Sequence, residues 1–366
     1  MLTKFAVTNY RGFAKRIEWD LSHPSNYTFN VYAVKDGVVK NGIVYGPNGS
    51  GKSNLALALF DIVNHLSQKW KKPDYYNNFV FGGNTTAPVV FEYYFRLGEY
   101  DIAYVYSKNA KGSLMSESLS VNGKVVFNRA DDKLTIDEKS YPMDATVMSN
   151  LGSNANNVSI VNFLLTSYPL SKEHYLIQLQ NYVANMLWFR GLRQNEYIGF
   201  ETATTNLDQY VINNHLVDDF AEFLKNVSEQ SFAFVKPRPN DKVLMCKYGN
   251  GQIAFDVIAS TGTQSLMLLY FWIKQMDKAS FVFVDEFDAF YHFKLSYEVC
   301  KQLFAMDCQA FVSSHNTYLM TNDLLRPDCN FILANNIIKP LNDCTEKELR
   351  FGHNIEKMFR GGTFEV

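Results

Sequence analysis

Residues 46–53 read GPNGSGKS, and this stretch decides how the rest of the chain is interpreted. It fits the phosphate-loop pattern GxxxxGK[ST] in full, with the residues Gly46, Pro47, Asn48, Gly49, Ser50, Gly51, Lys52 and Ser53. The apolar residues 41–45 before it predict a strand, and the helical spacing of apolar residues over 54–70 predicts a helix after it. A glycine-rich loop in that setting lets backbone N–H groups converge on phosphate oxygens.

The residue types in this loop predict individual roles. Lys52 is expected to reach the terminal phosphates, and the Ser53 hydroxyl is expected to ligate Mg²⁺. Asn54, which follows directly, is grouped with the loop as a nucleotide-binding residue. The alternative interpretation is an incidental glycine-rich turn.

Composition excludes several classes of protein. The 366 residues include 35 basic and 37 acidic side chains, a net charge of −2, which argues against a nucleic-acid coat or a binder of anionic membranes. A hydrophobic fraction of 47% excludes disorder as the main state. The longest apolar run, residues 266–273, is far shorter than the roughly 20 residues of a membrane span. We therefore expect a cytoplasmic protein with no membrane contact, whose five scattered cysteines are reduced and buried.

The order of patterns along the chain predicts an α/β fold in three parts. Residues 1–136 hold the phosphate loop and antiparallel strands, including a hairpin over Asn122 and Gly123. Residues 137–257 are predicted as a helical insertion that ends in a second hairpin, over Asn250 and Gly251. Residues 258–366 alternate strand and helix, as a parallel sheet does.

A second acidic motif follows a predicted buried strand. Residues 281–286 read FVFVDE, so Asp285 and Glu286 come at the strand's carboxyl end, where α/β sheets place ligands. Asp285 suits the Mg²⁺ shell, and Glu286 is positioned to polarise an attacking water. The alternative is a core strand with an acidic turn. Beside a phosphate loop, the motif predicts a site for ATP and Mg²⁺.

Two further strings lie near this motif. Residues 260–264 read STGTQ and begin an apolar helix. They are predicted to form either an anion-binding site or a plain helix cap. A later strand ends in Ser314, His315 and Asn316, where His315 is expected to face the terminal phosphate. A lone histidine is more often structural, so this role depends on the order of the motifs.

Taken in order, these motifs resemble the ABC-type ATPase head shared by SMC, RecF and OLD-family proteins. The resemblance implies a P-loop NTPase head with a mixed β lobe, a helical insertion and a parallel-sheet lobe. It implies that one protomer supplies the residues Lys52, Ser53, Asp285, Glu286 and His315, with Lys52, Glu286 and His315 catalytic. It implies that the partner protomer completes the site with the residues Ser260, Thr261, Gly262, Gln264 and Asp288.

The resemblance also has open points. Asn9 and Arg11 resemble the nucleotide-contacting turn near the start of SMC-like heads. The family pattern has two glycines where this chain has Gly262 and Thr263. The hydroxyl that contacts the terminal phosphate held by the other protomer could come from Ser260 or Thr261. The glutamine of the family's Q-loop stays open; the candidates include Gln68, Gln178, Gln180 and Gln194.

The end of the chain narrows the resemblance. Residues 348–362 read ELRFGHNIEKMFRGG and look like the terminal segment of OLD/SMC-like ATPases of bacterial anti-phage operons, such as the RloA and PARIS types. By composition alone the segment is a basic amphipathic helix. We expect no added nuclease domain, because roughly fifty residues follow His315, and no coiled-coil arm, because the insertion of about 200 residues has no heptads.

The resemblance thus implies an ATP-hydrolysing sensor or scaffold that forms a homodimer or higher homo-oligomer, without nuclease activity of its own. It would control a separate toxic effector, expected to be a nuclease, in response to a phage protein or DNA. One alternative is a RecF-like DNA-repair ATPase, which predicts a basic groove. Another is a transporter motor subunit, which would need a separate membrane partner.

Overall fold

The phosphate-loop strand lies inside a large parallel sheet in the computed structural model, which describes residues 1–67, 76–153, 157–190, 196–199, 206–238 and 240–365. The strands are β1 (Leu2–Thr8), β2 (Ile17–Asp20), β3 (Val34–Lys35), β4 (Val38–Val39), β5 (Asn41–Tyr45), β6 (Val89–Leu97), β7 (Tyr100–Lys108), β8 (Leu114–Val121), β9 (Lys124–Ala130), β10 (Lys133–Ile136), β11 (Met186–Arg190), β12 (Tyr197–Ile198), β13 (Met245–Tyr248), β14 (Gly251–Ala254), β15 (Phe281–Asp285), β16 (Gln309–Ser314), β17 (Asn330–Ala334) and β18 (Ile337–Pro340).

Helices connect these strands. They are α1 (Lys52–Leu59), α2 (Asp61–Leu66), α3 (Ala145–Gly152), α4 (Ile160–Ser167), α5 (Tyr175–Ala184), α6 (Leu207–Asn213), α7 (Val217–Ser228), α8 (Phe255–Ile258), α9 (Thr261–Gln275), α10 (Phe293–Phe304) and α11 (Ile355–Arg360). Short 3₁₀ turns occupy Val31–Ala33, Phe81–Gly83, Met276–Lys278, Thr317–Leu319, Pro327–Cys329 and Leu341–Cys344. No helix in the described part of the chain is long and apolar enough to cross a membrane.

Two sheets form the framework. The first is antiparallel, in the order β10-β9-β8-β7-β6-β1-β2. The second has the order β12-β11-β15-β16-β5-β17-β18, and its strands from β11 to β17 run parallel. The carboxyl ends of β5, β15 and β16 therefore lie at one edge, which confirms the predicted α/β fold around the phosphate loop.

The second sheet draws on the whole chain. Its strand β5 comes from the first predicted segment, β11 and β12 from the second, and β15 to β18 from the third. The division at residues 136 and 257 stays a prediction, and the sheet is common to all three parts. Trp19 on β2 joins the two sheets, because its buried ring packs edge-on against Phe283, Phe311 and Phe331 of the parallel sheet.

Local differences from the sequence predictions have clear causes. The single helix predicted over 54–70 is broken at Phe60 into α1 and α2, and residues 68–70 lie outside the described residues. The Tyr93 hydroxyl donates to the Ala58 carbonyl at 3.1 Å, and the side chain of Asp61 is held by Lys108, so tertiary contacts fix the break.

Both predicted hairpins form. The Asn122–Gly123 turn is as predicted, with both residues at positive φ. In the second hairpin Tyr248 pairs with Gly251, so the turn is Gly249–Asn250, one residue earlier than predicted. Gly249 supplies the positive φ that this turn needs at its first position. All five cysteines are buried and unpaired, as predicted.

Candidate nucleotide-binding site

The phosphate loop joins β5 to α1, as the sequence predicted. Gly49 and Gly51 have φ values of +79° and +101°, a region that favours glycine because a Cβ is disfavoured there. Gly51 precedes α1 and no side chain caps the first turn of this helix. The first backbone amides of α1 thus lie at the loop, at the positive end of the helix dipole. This is the arrangement that binds phosphate.

The loop is also closely packed at its start. A Cβ on Gly46 would lie 2.5 Å from the Leu333 carbonyl oxygen and 2.6 Å from Ser50 Oγ. Ser50 Oγ is buried and has no hydrogen-bond partner among the described residues. Such a hydroxyl is available to donate a hydrogen bond to a phosphate oxygen, so the residues present suit the nucleotide that the motif predicts.

Lys52 brings two separate motifs together. Its side chain is buried, and its ammonium donates to the Gly46 and Pro47 carbonyls at 2.7 and 3.2 Å. The same Nζ lies 3.5 Å from Nδ1 of His315, which is otherwise exposed at the end of β16. Burial lowers the pKa of Lys52, while the acidic side chains of the site act in the opposite direction.

The predicted acidic pair lies at the same edge of the sheet. Asp285 is fully buried, and its Oδ1 accepts a hydrogen bond from Ser313 Oγ at 2.6 Å. The Glu286 amide donates to the same Ser313 Oγ at 2.8 Å, and Glu286 has a φ of 51°. Ser313 thus holds both residues where β15 ends, and the Glu286 side chain is 35% exposed.

Asp288 is held beside His315. Its Oδ2 accepts from Ser314 Oγ at 2.6 Å, and Ser314 Oγ in turn accepts from the Asn316 amide at 2.8 Å. Burial raises the pKa of Asp288, although the bond from Ser314 acts in the opposite direction. The structure therefore connects the residues after β15 to the tip of β16 by direct hydrogen bonds.

The STGTQ segment consists of the N-cap of α9, Ser260, followed by the first turn of that helix. Ser260 is the helix cap, since its Oγ accepts from the Thr263 amide at 3.2 Å, as the plain-cap alternative predicts. Gln264 donates to the Asp256 carbonyl at 2.9 Å. A Cβ on Gly262 would lie 2.9 Å from the Phe290 carbonyl oxygen, which places this turn beside the residues that follow Asp288.

None of the hydrogen bonds of Ser260, Thr263 and Gln264 among the described residues reaches the phosphate loop. Ser260, Thr261 and Gln264 are exposed, and Gly262 is half-buried. Their predicted contact with a nucleotide held by a partner protomer stays a prediction.

The turn after β1 packs directly on the phosphate loop. The Phe13 ring lies under Gly51, where a Cβ would come within 2.8 Å, and Gly12 faces the Asn54 side chain. Asn9 is buried and donates to the Ala87 carbonyl at 2.8 Å, so its amide holds the start of β6. Arg11 has a φ of 43° and stacks over Tyr10. Nucleotide contacts by Asn9 and Arg11 stay predictions.

Sequence reasoning missed two residues of this site. Arg190 ends β11 beside Asp285, and Ser313 lies inside β16; neither belongs to a motif. Only the order of strands in the sheet brings them to the acidic pair. Of the open glutamine candidates, Gln178 and Gln180 lie on α5, while Gln68 and Gln194 lie outside the described residues.

The predicted metal ligands have suitable chemistry. Ser53 lies in the first turn of α1, and Asp285 ends β15, two strands away across the same sheet edge. A hydroxyl and a carboxylate are the hard oxygen donors that Mg²⁺ takes, with phosphate oxygens and waters completing its shell. The donor set therefore fits Mg²⁺ bound together with a nucleotide.

A family model described as "AAA domain, putative AbiEii toxin, Type IV TA system" matches residues 43–321. Several solved structures are similar over most of their length. The SMC head domain from Thermotoga maritima is 14% identical, with 93% of this chain and 99% of that chain covered and a TM-score of 0.45. The SMC head bound to the C-terminal winged-helix domain of ScpA is 15% identical, with coverage of 93% and 97% and a TM-score of 0.47.

The ATP-bound recombination mediator RecF is 14% identical, with coverage of 93% and 99% and a TM-score of 0.43. No curated protein matches the chain.

Proposed function

Because the chain belongs to the family of AAA domains described as putative AbiEii toxins of type IV toxin–antitoxin systems, we propose that it is an ABC-type ATPase that serves as sensor and scaffold in anti-phage defence. One observation carries the nucleotide part of the proposal. Lys52 of the phosphate loop lies 3.5 Å from His315, and hydrogen bonds link the residues around His315 to Asp288. Motifs from three strands thus meet at one sheet edge.

The site residues would divide the work as their positions suggest. Lys52 and the loop amides bind the phosphates, while Ser53 and Asp285 hold the metal. Bound Mg²⁺ supplies charge neutralisation at the phosphates, and ATP supplies the bond that is cleaved. Glu286, whose side chain is 35% exposed next to Asp285, would orient a water for attack on the terminal phosphate. His315 hydrogen-bonds near that phosphate and holds the water's position.

We propose further that two copies of the chain meet across this edge and complete each other's sites. Ser260, Thr261 and Gln264 are exposed, and Gly262 of the same turn lies next to Phe290, which supports a role for this turn toward a second copy. Nucleotide stabilises such a dimer only by its differential affinity for the closed form.

The proposed role of the dimer is to hold or release a toxic effector, expected to be a nuclease, in response to a phage component. The toxin–antitoxin system named in the family description supports this part of the proposal. Inspection of neighbouring genes tests it at low cost. A toxic or nuclease-like reading frame next door would support it, whereas a replication or repair operon would favour a RecF-like role in DNA repair.

Two variants test the chemistry. Lys52→Ala removes the phosphate-binding ammonium and is expected to weaken binding of a fluorescent ATP analogue at least a hundredfold. Glu286→Gln should bind ATP normally, release phosphate at less than one hundredth of the wild-type rate, and accumulate as a dimer in light-scattering measurements with ATP and Mg²⁺. Lys35→Ala, at an exposed lysine, is the control. Undiminished phosphate release by Glu286→Gln would refute the mechanism, and a monomeric Glu286→Gln protein would refute the dimer.

A further inference from the structure

The guanidinium of Arg190 lies against Asp285, the predicted metal ligand. Arg190 ends β11, and in the parallel ladder it is paired in register with Asp285. Its guanidinium NH2 lies 3.3 Å from Asp285 Oδ2, and its Nε lies 3.9 Å from Glu286 Oε2. One guanidinium therefore contacts both carboxylates to which the proposed function gives roles.

Asp285 carries a buried negative charge that Arg190 contacts directly, while Lys52 of the phosphate loop also acts on it electrostatically. The residue is fully buried, its Oδ1 accepts from Ser313, and its Oδ2 faces Arg190. A buried carboxylate is strongly destabilised without a cation or hydrogen bonds, so Arg190 stabilises the strand end as folded. A divalent cation that used Asp285 would meet a guanidinium already beside the same oxygen, and two cations at one carboxylate repel each other.

Arg190 also has a third acidic partner, Glu196. Its NH1 lies 3.4 Å from Glu196 Oε2, and its guanidinium packs over the Trp188 ring at 5.6 Å. The Arg190 side chain is 27% exposed and that of Glu196 is 44% exposed. Because Glu196 already contacts this guanidinium, a rotation toward Glu196 would keep Arg190 paired when it leaves Asp285.

We propose that Arg190 is a positioning residue that competes with the divalent cation for Asp285 and so sets the Mg²⁺ dependence of the site. Arg190 pairs with Asp285 and Glu286 when no metal is bound, and turns to Glu196 when Asp285 takes a metal. Its departure also releases Glu286 from the same guanidinium. This inference rests on the proposed nucleotide site and adds a metal-linked switch to it.

The test measures how strongly Mg²⁺ promotes nucleotide binding. The dissociation constant of fluorescent mant-ADP is measured once in EDTA and once in Mg²⁺. The value in EDTA is divided by the value in Mg²⁺, and this ratio is compared between variants. ADP is used so that contacts to a third phosphate play no part. Arg190→Gln should raise this ratio roughly three- to tenfold, the range expected for one partly buried charge-assisted pair. Arg190→Lys keeps the charge and should stay close to the wild-type ratio.

Glu196→Gln provides an independent arm, because this exposed residue can be changed without disturbing the buried strand. The variant loses the alternative partner, so Arg190 should remain at Asp285 and the ratio should fall below that of the wild type. A ratio that is unchanged or lowered in Arg190→Gln would overturn the inference, as would Arg190→Lys behaving like Arg190→Gln. A wild-type protein that binds no mant-ADP under either condition would instead refute the nucleotide site itself, and the inference with it.

Discussion

The buried pair of Asp61 and Lys108 provides the sharpest test of how α2 is held against the antiparallel sheet. Asp61 begins α2, directly after the helix that follows the phosphate loop, and Lys108 ends β7 of the antiparallel sheet. Their side chains are 0% and 3% exposed, and Lys108 Nζ lies 2.6 Å from Asp61 Oδ2. Lys108→Met removes the charge while keeping most of the apolar stem, so the change leaves little cavity.

The expected cost follows from what Asp61 retains. Its Oδ2 keeps the hydrogen bond from the Tyr106 hydroxyl at 2.7 Å, and its Oδ1 has no partner among the described residues. An uncompensated carboxylate would thus remain at full burial, and breaking such a pair costs about 3–5 kcal/mol. The exposed pair of Lys35 and Asp307, with side chains 53% and 87% exposed, offers a matched control. Lys35→Met should cost less than about 1 kcal/mol.

Urea unfolding, followed by the fluorescence of the buried tryptophans, measures both variants. The double variant Asp61→Asn/Lys108→Met removes both charges and should recover more than half of the loss, since the uncompensated ion is then gone. Refutation would be a Lys108→Met protein that is no less stable than Lys35→Met, or a double variant less stable than Lys108→Met. Either result would mean that the network does not join α2 to the antiparallel sheet.

Two further predictions concern the site itself. Gly46→Ala should weaken mant-ADP binding at least tenfold, because its Cβ would lie 2.5 Å from the Leu333 carbonyl oxygen and the loop must shift. Gly352→Ala is the control, since a Cβ there meets open space. Equal binding of mant-ADP by the two variants would contradict the packing argument. Burial raises the pKa of Asp288 above its ordinary 3.8, so the folded state binds the carboxyl proton more tightly than the unfolded state does. The protonated carboxyl therefore adds to the free energy of unfolding below pH 3.8. This contribution is lost as the pH rises through the folded-state pKa. Asp288→Asn should therefore raise the melting temperature at pH 7.5, with a gain that shrinks toward pH 4, and a gain independent of pH would contradict this reasoning.

Local patterns predicted the elements around the site well. The strand before the phosphate loop, the loop itself and the strand that delivers Asp285 all follow from short runs of adjacent residues. Such runs carry their own information, since a buried parallel strand needs a continuous apolar stretch and the loop needs glycines at positive φ. The capping role of Ser260 was likewise foreseen as one of two alternatives.

Predictions failed where distant residues determine the local conformation. The helix after the phosphate loop breaks at Phe60 because Tyr93 and Lys108, from the antiparallel sheet, bind the groups on either side of the break. The helical periodicity of residues 54–70 continues through that point, so no local signal reports it. The placement of Arg190 was missed for the same reason, as its strand lies beside Asp285 only through the sheet order.

The sequence by itself determined the phosphate loop, the acidic strand end and the class of fold, because each depends on residues that are neighbours in the chain. Only the tertiary structure decided which side chains serve these motifs: Ser313 between Asp285 and Glu286, Ser314 at Asp288, and Arg190 across the ladder. The reason is that a parallel sheet brings strand ends together from segments far apart in the chain, and the order of its strands is set by the packing of the whole molecule.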